Sequence, residues 1–286
     1  MKIDPSGLIG FMQGRLSPLI DGKIQAFPWP YWRDEFPLAE RLGFSLMEWT
    51  LDHDRLHENP LMTASGRTEI MSLMARHGVR VLSCTGDCFM QAPFYKTEGK
   101  KRQNLLEELV RVIESCGELG VKYLVMPLED NGRLEDDLQE EVLLNGLEKV
   151  QGILQSANVR LLFESDYPPS KLGSFIRKLS PQLFGVNYDI GNSASRGYRV
   201  AEEMSAYGGK ILNVHVKDRV LGGGTVPLGQ GAADLPGVLQ ALNEAGYREA
   251  YILQTARSRE GDHAGVLTRY RDLVTRWLGE LAEHGS

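Results

Sequence analysis

Residues 211–231 read ILNVHVKDRVLGGGTVPLGQG, an apolar run that ends on His215, Lys217 and Asp218 and then enters a glycine-rich loop. On a β-strand, side chains two apart share a face, so His215 and Lys217 point the same way while Val214 and Val216 point the other. A histidine in such a pattern is, taken alone, more often a satisfied core residue than a ligand. Its meaning depends on what the other strands bring to the same place.

The same order of apolar run, polar strand end, loop and amphipathic helix recurs along the chain. The pattern predicts strands over residues 7–12, 45–51, 79–84, 122–128, 159–163, 184–188, 211–216 and 250–253. It predicts helices over 33–42, 65–77, 101–119, 138–156, 200–207, 235–245 and 265–278, with another following the ESDYPP stretch at 164–169. Gly43, Gly78 and Gly120 close three of these helices, as a left-handed cap requires. Strictly alternating βα units, eight of each, argue for one (β/α)₈ TIM barrel as a single domain over residues 1–286, close to the size of about 250 residues usual for that fold. A doubly wound sheet is the rival, but the first strand-to-helix turn, QGRLSP, has no dinucleotide-binding glycine fingerprint.

Composition narrows the partners. A formal charge of −6 over 286 residues and a pI near 5.6 oppose nucleic acid or an acidic membrane surface as the general partner. The three cysteines, Cys84, Cys88 and Cys116, are an odd count that argues against a disulfide framework and for a reducing compartment. The opening residues lack the features of a signal peptide, and no apolar run approaches the roughly 18 residues of a membrane span. A cytoplasmic protein acting on a small molecule is the expectation, and a homo-oligomer is left open.

In a barrel of this type the active site lies at the C-terminal ends of the strands. Strand two ends near Glu48, strand five near Glu164, strand six near Asp189, strand seven near His215 and Lys217, and strand eight near Gln254. Any one of these reads most simply as a hydrogen-bonded or solvated strand end. Together, Glu164, Asp189, His215 and Gln254 are better explained by one divalent metal ion, because uncompensated carboxylates sharing an apolar mouth repel each other and resist desolvation. Two carboxylates, an imidazole and an amide oxygen favour Mn²⁺, Mg²⁺, Co²⁺ or Fe²⁺, with Zn²⁺ as an option.

At these residues the chain resembles the xylose isomerase-like barrel superfamily, in its sugar phosphate isomerase/epimerase branch. The resemblance rests on GFMQGRLSP, LMEWT, FES, DIGN, HVKDR with GGGTVPLGQG, and ILQTAR, and covers nearly the whole chain. It implies a carbohydrate substrate and a metal held by Glu164, Asp189, His215 and the residue at 254, where relatives have a second glutamate and this chain has glutamine. It also implies a substrate contact at Asn192, where many relatives have histidine. In ketose 3-epimerases of the superfamily two metal-bound glutamates exchange protons on opposite faces of the substrate. An amide cannot accept that proton, so Glu164 remains as the base and the two-glutamate route is disfavoured.

Lys217 is the expected second catalytic group, able to bind a substrate oxygen or protonate an enediolate or leaving hydroxyl, with a structural ion pair as the alternative. Gln13, Arg15, Glu48, Asn192, Arg219 and Arg257 are the candidates for gripping the substrate. The loop 222–231, with Lys217 and Arg219 nearby, occupies a common phosphate position in such barrels, although a glycine-rich loop is often only a turn. The aromatic residues Phe27, Trp29, Tyr31 and Trp32 read as lying outside the core, as a lid, a sugar-stacking surface or a dimer interface. The leading expectation is a metal-dependent sugar, sugar phosphate or polyol ketone isomerase or epimerase. The alternatives are an inosose-type dehydratase on the same metal site and a non-catalytic sugar-binding barrel. Zinc-dependent apurinic endonucleases also use this barrel, but they need a histidine-rich site and a basic groove, which the acidic balance and one strand-end histidine oppose.

Overall fold

A computed structural model describes residues 5–284 of the chain. Eight parallel strands close into a barrel: β1 (Ile9–Met12), β2 (Leu46–Thr50), β3 (Arg80–Thr85), β4 (Tyr123–Leu128), β5 (Arg160–Ser165), β6 (Phe184–Asp189), β7 (Ile211–Val216) and β8 (Tyr251–Leu253). Each strand neighbours its sequence neighbours, and β8 closes on β1 through Ile9–Tyr251, Gly10–Ile252 and Phe11–Leu253. The outer layer is α1 (Glu35–Arg41), α2 (Ala64–His77), α3 (Gly99–Leu119), α4 (Asp137–Ala157), α5 (Pro169–Ile176), α6 (Val200–Tyr207), α7 (Leu235–Glu244) and α8 (His263–His284). The expected TIM barrel is the observed fold.

Local chemistry sets several helix ends. Thr63 and Asp136 accept hydrogen bonds from the amides of Gly66 and Gln139 at the starts of α2 and α4, and Gly78 and Gly120 end α2 and α3 at φ values of 66° and 87°. The expected first strand begins two residues late, because Pro5–Leu8 form a 3₁₀ turn. Two short helices, Asp87–Gln91 and Ile190–Ser195, and a small ribbon pairing Asp218–Arg219 with Thr225–Val226 are additions at the mouth that periodicity does not reveal.

Two cores result. Between barrel and helices, Phe11, Trp49, Val81, Leu124, Phe163 and Val214 are fully buried among the helical apolar faces. Inside the barrel the lower layer is tight: a Cβ on Gly10 would lie 2.8 Å from both Leu46 Cβ and Ile252 Cδ1. The placement of the first-loop aromatics corrects the expectation that they lie outside the core. Phe27 and Trp32 are buried with ring centroids 5.4 and 5.7 Å from Trp49 on the outer face of β2, while Trp29 and Tyr31 are half-exposed. Their large apolar area outweighs their position in a loop. Among the described residues no helix is long and apolar enough to cross a membrane.

Candidate metal centre

The period of two aligns His215 with Lys217, and the β6–β7 register, shifted by one residue between Val186 and Asn187, places Asp189 opposite His215. Glu164, Asp189 and His215 converge, all buried, with one donor atom from each lying within 4.8 Å of the others. His215 Nδ1 is 3.1 Å from Glu164 Oε2 and 4.0 Å from Asp189 Oδ2. Its other ring nitrogen, Nε2, is 2.7 Å from Oε1 of Glu48. A proton on Nε2 that donates to this carboxylate leaves the Nδ1 lone pair facing Glu164 and Asp189, the arrangement a metal-ligating histidine needs.

A polar layer beneath the centre holds these groups. Glu48 is completely buried and accepts hydrogen bonds from Asn213 Nδ2 at 2.8 Å and Thr85 Oγ1 at 2.5 Å. Asn213 also donates to Asn187 Oδ1 at 2.7 Å, and Asn187 Nδ2 donates to Glu164 Oε2 at 2.7 Å. Burial opposes charge on His215, but the charges and hydrogen bonds of Glu48 and Glu164 prevail and hold its pKa well above the ordinary value. Burial likewise works to raise Glu164, yet hydrogen bonding and charge from His215, with the charge of Lys217, lower it to about 2. Asp189 is raised, by burial first and by the charge of Glu164, against the pull of Lys217.

Lys217 Nζ lies 2.6 Å from Asp189 Oδ2 and donates to Gln254 Oε1 at 2.9 Å. Gln254 therefore reaches the centre through the ammonium of Lys217. Asp189 Oδ2 is buried without an aligned hydrogen bond, and the nearby ammonium balances its charge. Two carboxylates and an imidazole nitrogen, close together, buried and with an oxygen left over, fit a hard divalent ion.

The remaining sequence candidates divide into two groups. Asn192 belongs to the centre: its Nδ2 is 2.7 Å from Glu164 Oε1 and 2.9 Å from both oxygens of Glu129, and its Oδ1 accepts from Arg219 Nη1 at 2.7 Å. Glu48 lies under His215, away from the mouth. Gln13 and Arg15 are buried at the end of β1, Gln13 accepting from the Thr50 amide at 3.1 Å and Arg15 donating to Ile24 O at 3.0 Å. Arg257 fastens the first loop, donating to Gly14 O at 2.6 Å, Ser17 O at 2.7 Å and Ile24 O at 3.3 Å.

Sequence reasoning passed over Asn187 and Asn213, although each stands two residues before a candidate ligand and so shares its face. It also passed over Glu129, just beyond β4, whose pKa is raised well above the ordinary value by burial and by Glu164, and Asp87 beyond β3, raised to about 8 by burial with Asp52 and Glu164. The glycine-rich loop is folded around a carboxylate of the chain itself. The amides of Gly229 and Gly231 donate to Asp218 Oδ2 at 2.9 and 2.8 Å, and that of Ala233 to Oδ1 at 3.1 Å. A cleft of 630 Å³ between the first two βα loops, bordered by Trp29, Tyr31, Asp52 and Arg55, lies to one side and includes none of the candidate ligands.

Known proteins share this fold. An Escherichia coli protein named L-ribulose-5-phosphate 3-epimerase UlaE is 27% identical over 252 residues, covering 85% of this chain and 88% of its own. A solved structure described as the IOLI protein with a binding zinc atom superposes with a TM-score of 0.71 at 19% identity, over 94% of this chain and 98% of that one. A Mycobacterium smegmatis barrel in complex with magnesium superposes with a TM-score of 0.70 at 15% identity, over 98% and 99%. Residues 36–273 match the family described as xylose isomerase-like TIM barrel. With that match over most of the chain and the closed barrel of eight parallel strands, the chain belongs to that family.

Proposed function

We propose that the protein is a divalent-metal-dependent enzyme that moves a proton at the carbon next to the carbonyl of a keto sugar, an isomerase or epimerase working in the barrel mouth. The observation that carries this reading is the convergence of Glu164, Asp189 and His215, with the Lys217 ammonium 2.6 Å from Asp189. A divalent ion held by these three residues would polarise the substrate carbonyl. Glu164, ionised and oriented by Asn187 and Asn192, is the group that accepts the carbon-bound proton. Lys217 holds a proton at Nζ, and Gln254 fixes that nitrogen through its amide oxygen. A carboxylate base on β5 and an ammonium acid just beyond β7 thus stand in for the two-glutamate pair. The UlaE relative, an epimerase by name, supports the substrate class.

The same pair would serve a dehydratase if Lys217 protonated a leaving hydroxyl, which is why this second reading is retained. Incubation of Mn²⁺-loaded protein with ketoses in deuterated water separates them. Deuterium entering the carbon beside the carbonyl without a change of formula marks isomerase or epimerase chemistry, and loss of one water marks the dehydratase. Glu164→Gln should lower exchange by about 10²- to 10⁴-fold. Undiminished exchange in that variant would place the base elsewhere, and failure to take up a divalent ion at micromolar concentration would remove the metal enzyme altogether.

A further inference from the structure

At the end of the barrel opposite the metal centre, the strands begin on cations. Arg80 opens β3, Lys122 precedes β4, Arg160 opens β5, Lys210 precedes β7 and Arg248 stands three residues before β8. The chain as a whole is acidic, with 38 carboxylates against 32 lysines and arginines. Yet a cavity of about 200 Å³ at this end is lined by three cations, Arg80, Lys122 and Arg248, and by one carboxylate, Glu249. Helix C-termini attract cations, but that field falls off within the last turn. Arg76 and His77 occupy the last turn of α2, whereas Arg80, Lys122 and Arg248 stand three or four residues beyond the ends of α2, α3 and α7. Nor are the three committed to carboxylates. Among the described residues the side chains of Arg80 and Lys122 make no hydrogen bond or ion pair. Arg248 uses only Nη1, which donates to the carbonyls of Asn243 and Tyr247 at 3.1 and 2.6 Å. Glu249 is met from β4 by Tyr123, whose phenol is raised to about 12 by burial and by the charge of Glu249. Like charges gathered around one small cavity repel each other until an anion joins them.

We propose that this cavity is a binding site for the phosphoryl group of a small phosphorylated metabolite, separate from the catalytic mouth. A phosphate monoester carries close to two negative charges at pH 7 and three acceptor oxygens. Two guanidinium forks and an ammonium match those oxygens, because arginine grips phosphate bidentately and lysine meets it as a point charge. A carboxylate offers two oxygens, which one arginine satisfies.

The position makes the ligand a second molecule and not the reacting sugar. β3 runs from Arg80 to Thr85, so at about 3.3 Å per residue the cavity lies roughly 15 Å below the strand ends that carry the metal centre. Leu46 and Ile252, which line it, also pack against Gly10 so tightly that a Cβ there would lie 2.8 Å from each, closing the barrel above. The inner wall includes Asn213, whose Nδ2 donates to Glu48 beneath His215 at 2.8 Å. An occupant therefore rests against the polar layer that orients His215.

Calorimetric titration of the full chain with inorganic phosphate, glycerol 1-phosphate and malonate at low ionic strength tests this. Saturable one-to-one binding of both phosphates is expected, with a Kd of about 1 mM or tighter that weakens as salt is added. Arg80→Gln and Arg248→Gln, both at exposed positions, should each weaken it about tenfold, with melting temperature and Mn²⁺ uptake unchanged. Asp189→Asn, at the other end of the barrel, should leave the phosphate affinity as it is. Affinity unchanged in both arginine variants, or lost in Asp189→Asn, would place the anion elsewhere and overturn the inference. So would an absence of saturation up to roughly 10 mM phosphate, or malonate bound as tightly as the phosphates. Each of these results leaves the proton-transfer reading standing, because that reading rests on the opposite end of the barrel.

Discussion

Lys217 and Asp189 form a buried ion pair, Nζ 2.6 Å from Oδ2, on the oxygen that a divalent ion would also claim. The ammonium and the metal therefore compete for, or share, one carboxylate. Lys217→Met should destabilise the metal-free protein by about 3–5 kcal/mol, the effect of stranding a buried charge. It should also tighten Mn²⁺ binding about tenfold, because Asp189 no longer has a second cation to satisfy. Thermal melts with and without Mn²⁺, together with calorimetry, report both. An unchanged Mn²⁺ affinity would show that Lys217 leaves Asp189 when the ion arrives. If Lys217 is the proton donor, turnover should fall about 10²- to 10⁴-fold despite the tighter metal.

Glu48 acts through His215. Removing the carboxylate that receives the Nε2 proton frees the ring to turn or change tautomer, and outer hydrogen bonds of this kind change metal affinity by roughly 10- to 100-fold. Glu48→Leu should weaken Mn²⁺ binding within that range, and Glu48→Gln, which keeps an acceptor oxygen, should weaken it less. Equal affinities in wild type and Glu48→Leu would assign Glu48 to packing alone.

Glu35 makes the first loop pH-sensitive. Its carboxylate accepts hydrogen bonds from the Gly14 amide at 2.9 and 3.0 Å and the Leu16 amide at 3.1 Å. Burial outweighs these bonds and the charge of Arg257, raising its pKa from 4.5 to about 7. A raised folded-state pKa means that the native state holds the proton more tightly than the unfolded chain. The associated stabilisation is complete below pH about 4.5 and is lost as pH rises through about 7. Glu35→Gln cannot ionise, so the Tm of the wild type relative to this variant should decline across that window. A flat difference would mean that the Gly14 and Leu16 amides, with Arg257, keep the carboxyl near its ordinary pKa.

The three cysteines should be silent in the native protein. Cys84, Cys88 and Cys116 are all free and buried, and burial raises the Cys84 and Cys88 thiols well above the ordinary value. A thiol reagent at pH 8 should label none within minutes under native conditions and all three in denaturant. Rapid native labelling would reveal an opening of the layer between β3 and its helices.

Alternating apolar runs and glycine stops were enough to count the βα units, because the 2.0 and 3.6 periods are local properties of the chain. They were also enough to bring Glu164, Asp189 and His215 to one mouth, since strand ends in a parallel barrel share a face. The same period could have identified Asn187 and Asn213. What it could not give were contacts across the ring or through loops: Glu48 beneath His215, Asn192 joining Glu164 to Arg219, Asp218 inside the glycine loop, and Phe27 and Trp32 folded onto Trp49. Gln254 is the clearest case. The sequence determined that the eighth strand ends on an amide, but only the tertiary structure decided that its oxygen meets Lys217, because that partner is chosen by the distance between the ends of β7 and β8 and by the charge of Asp189 beside them.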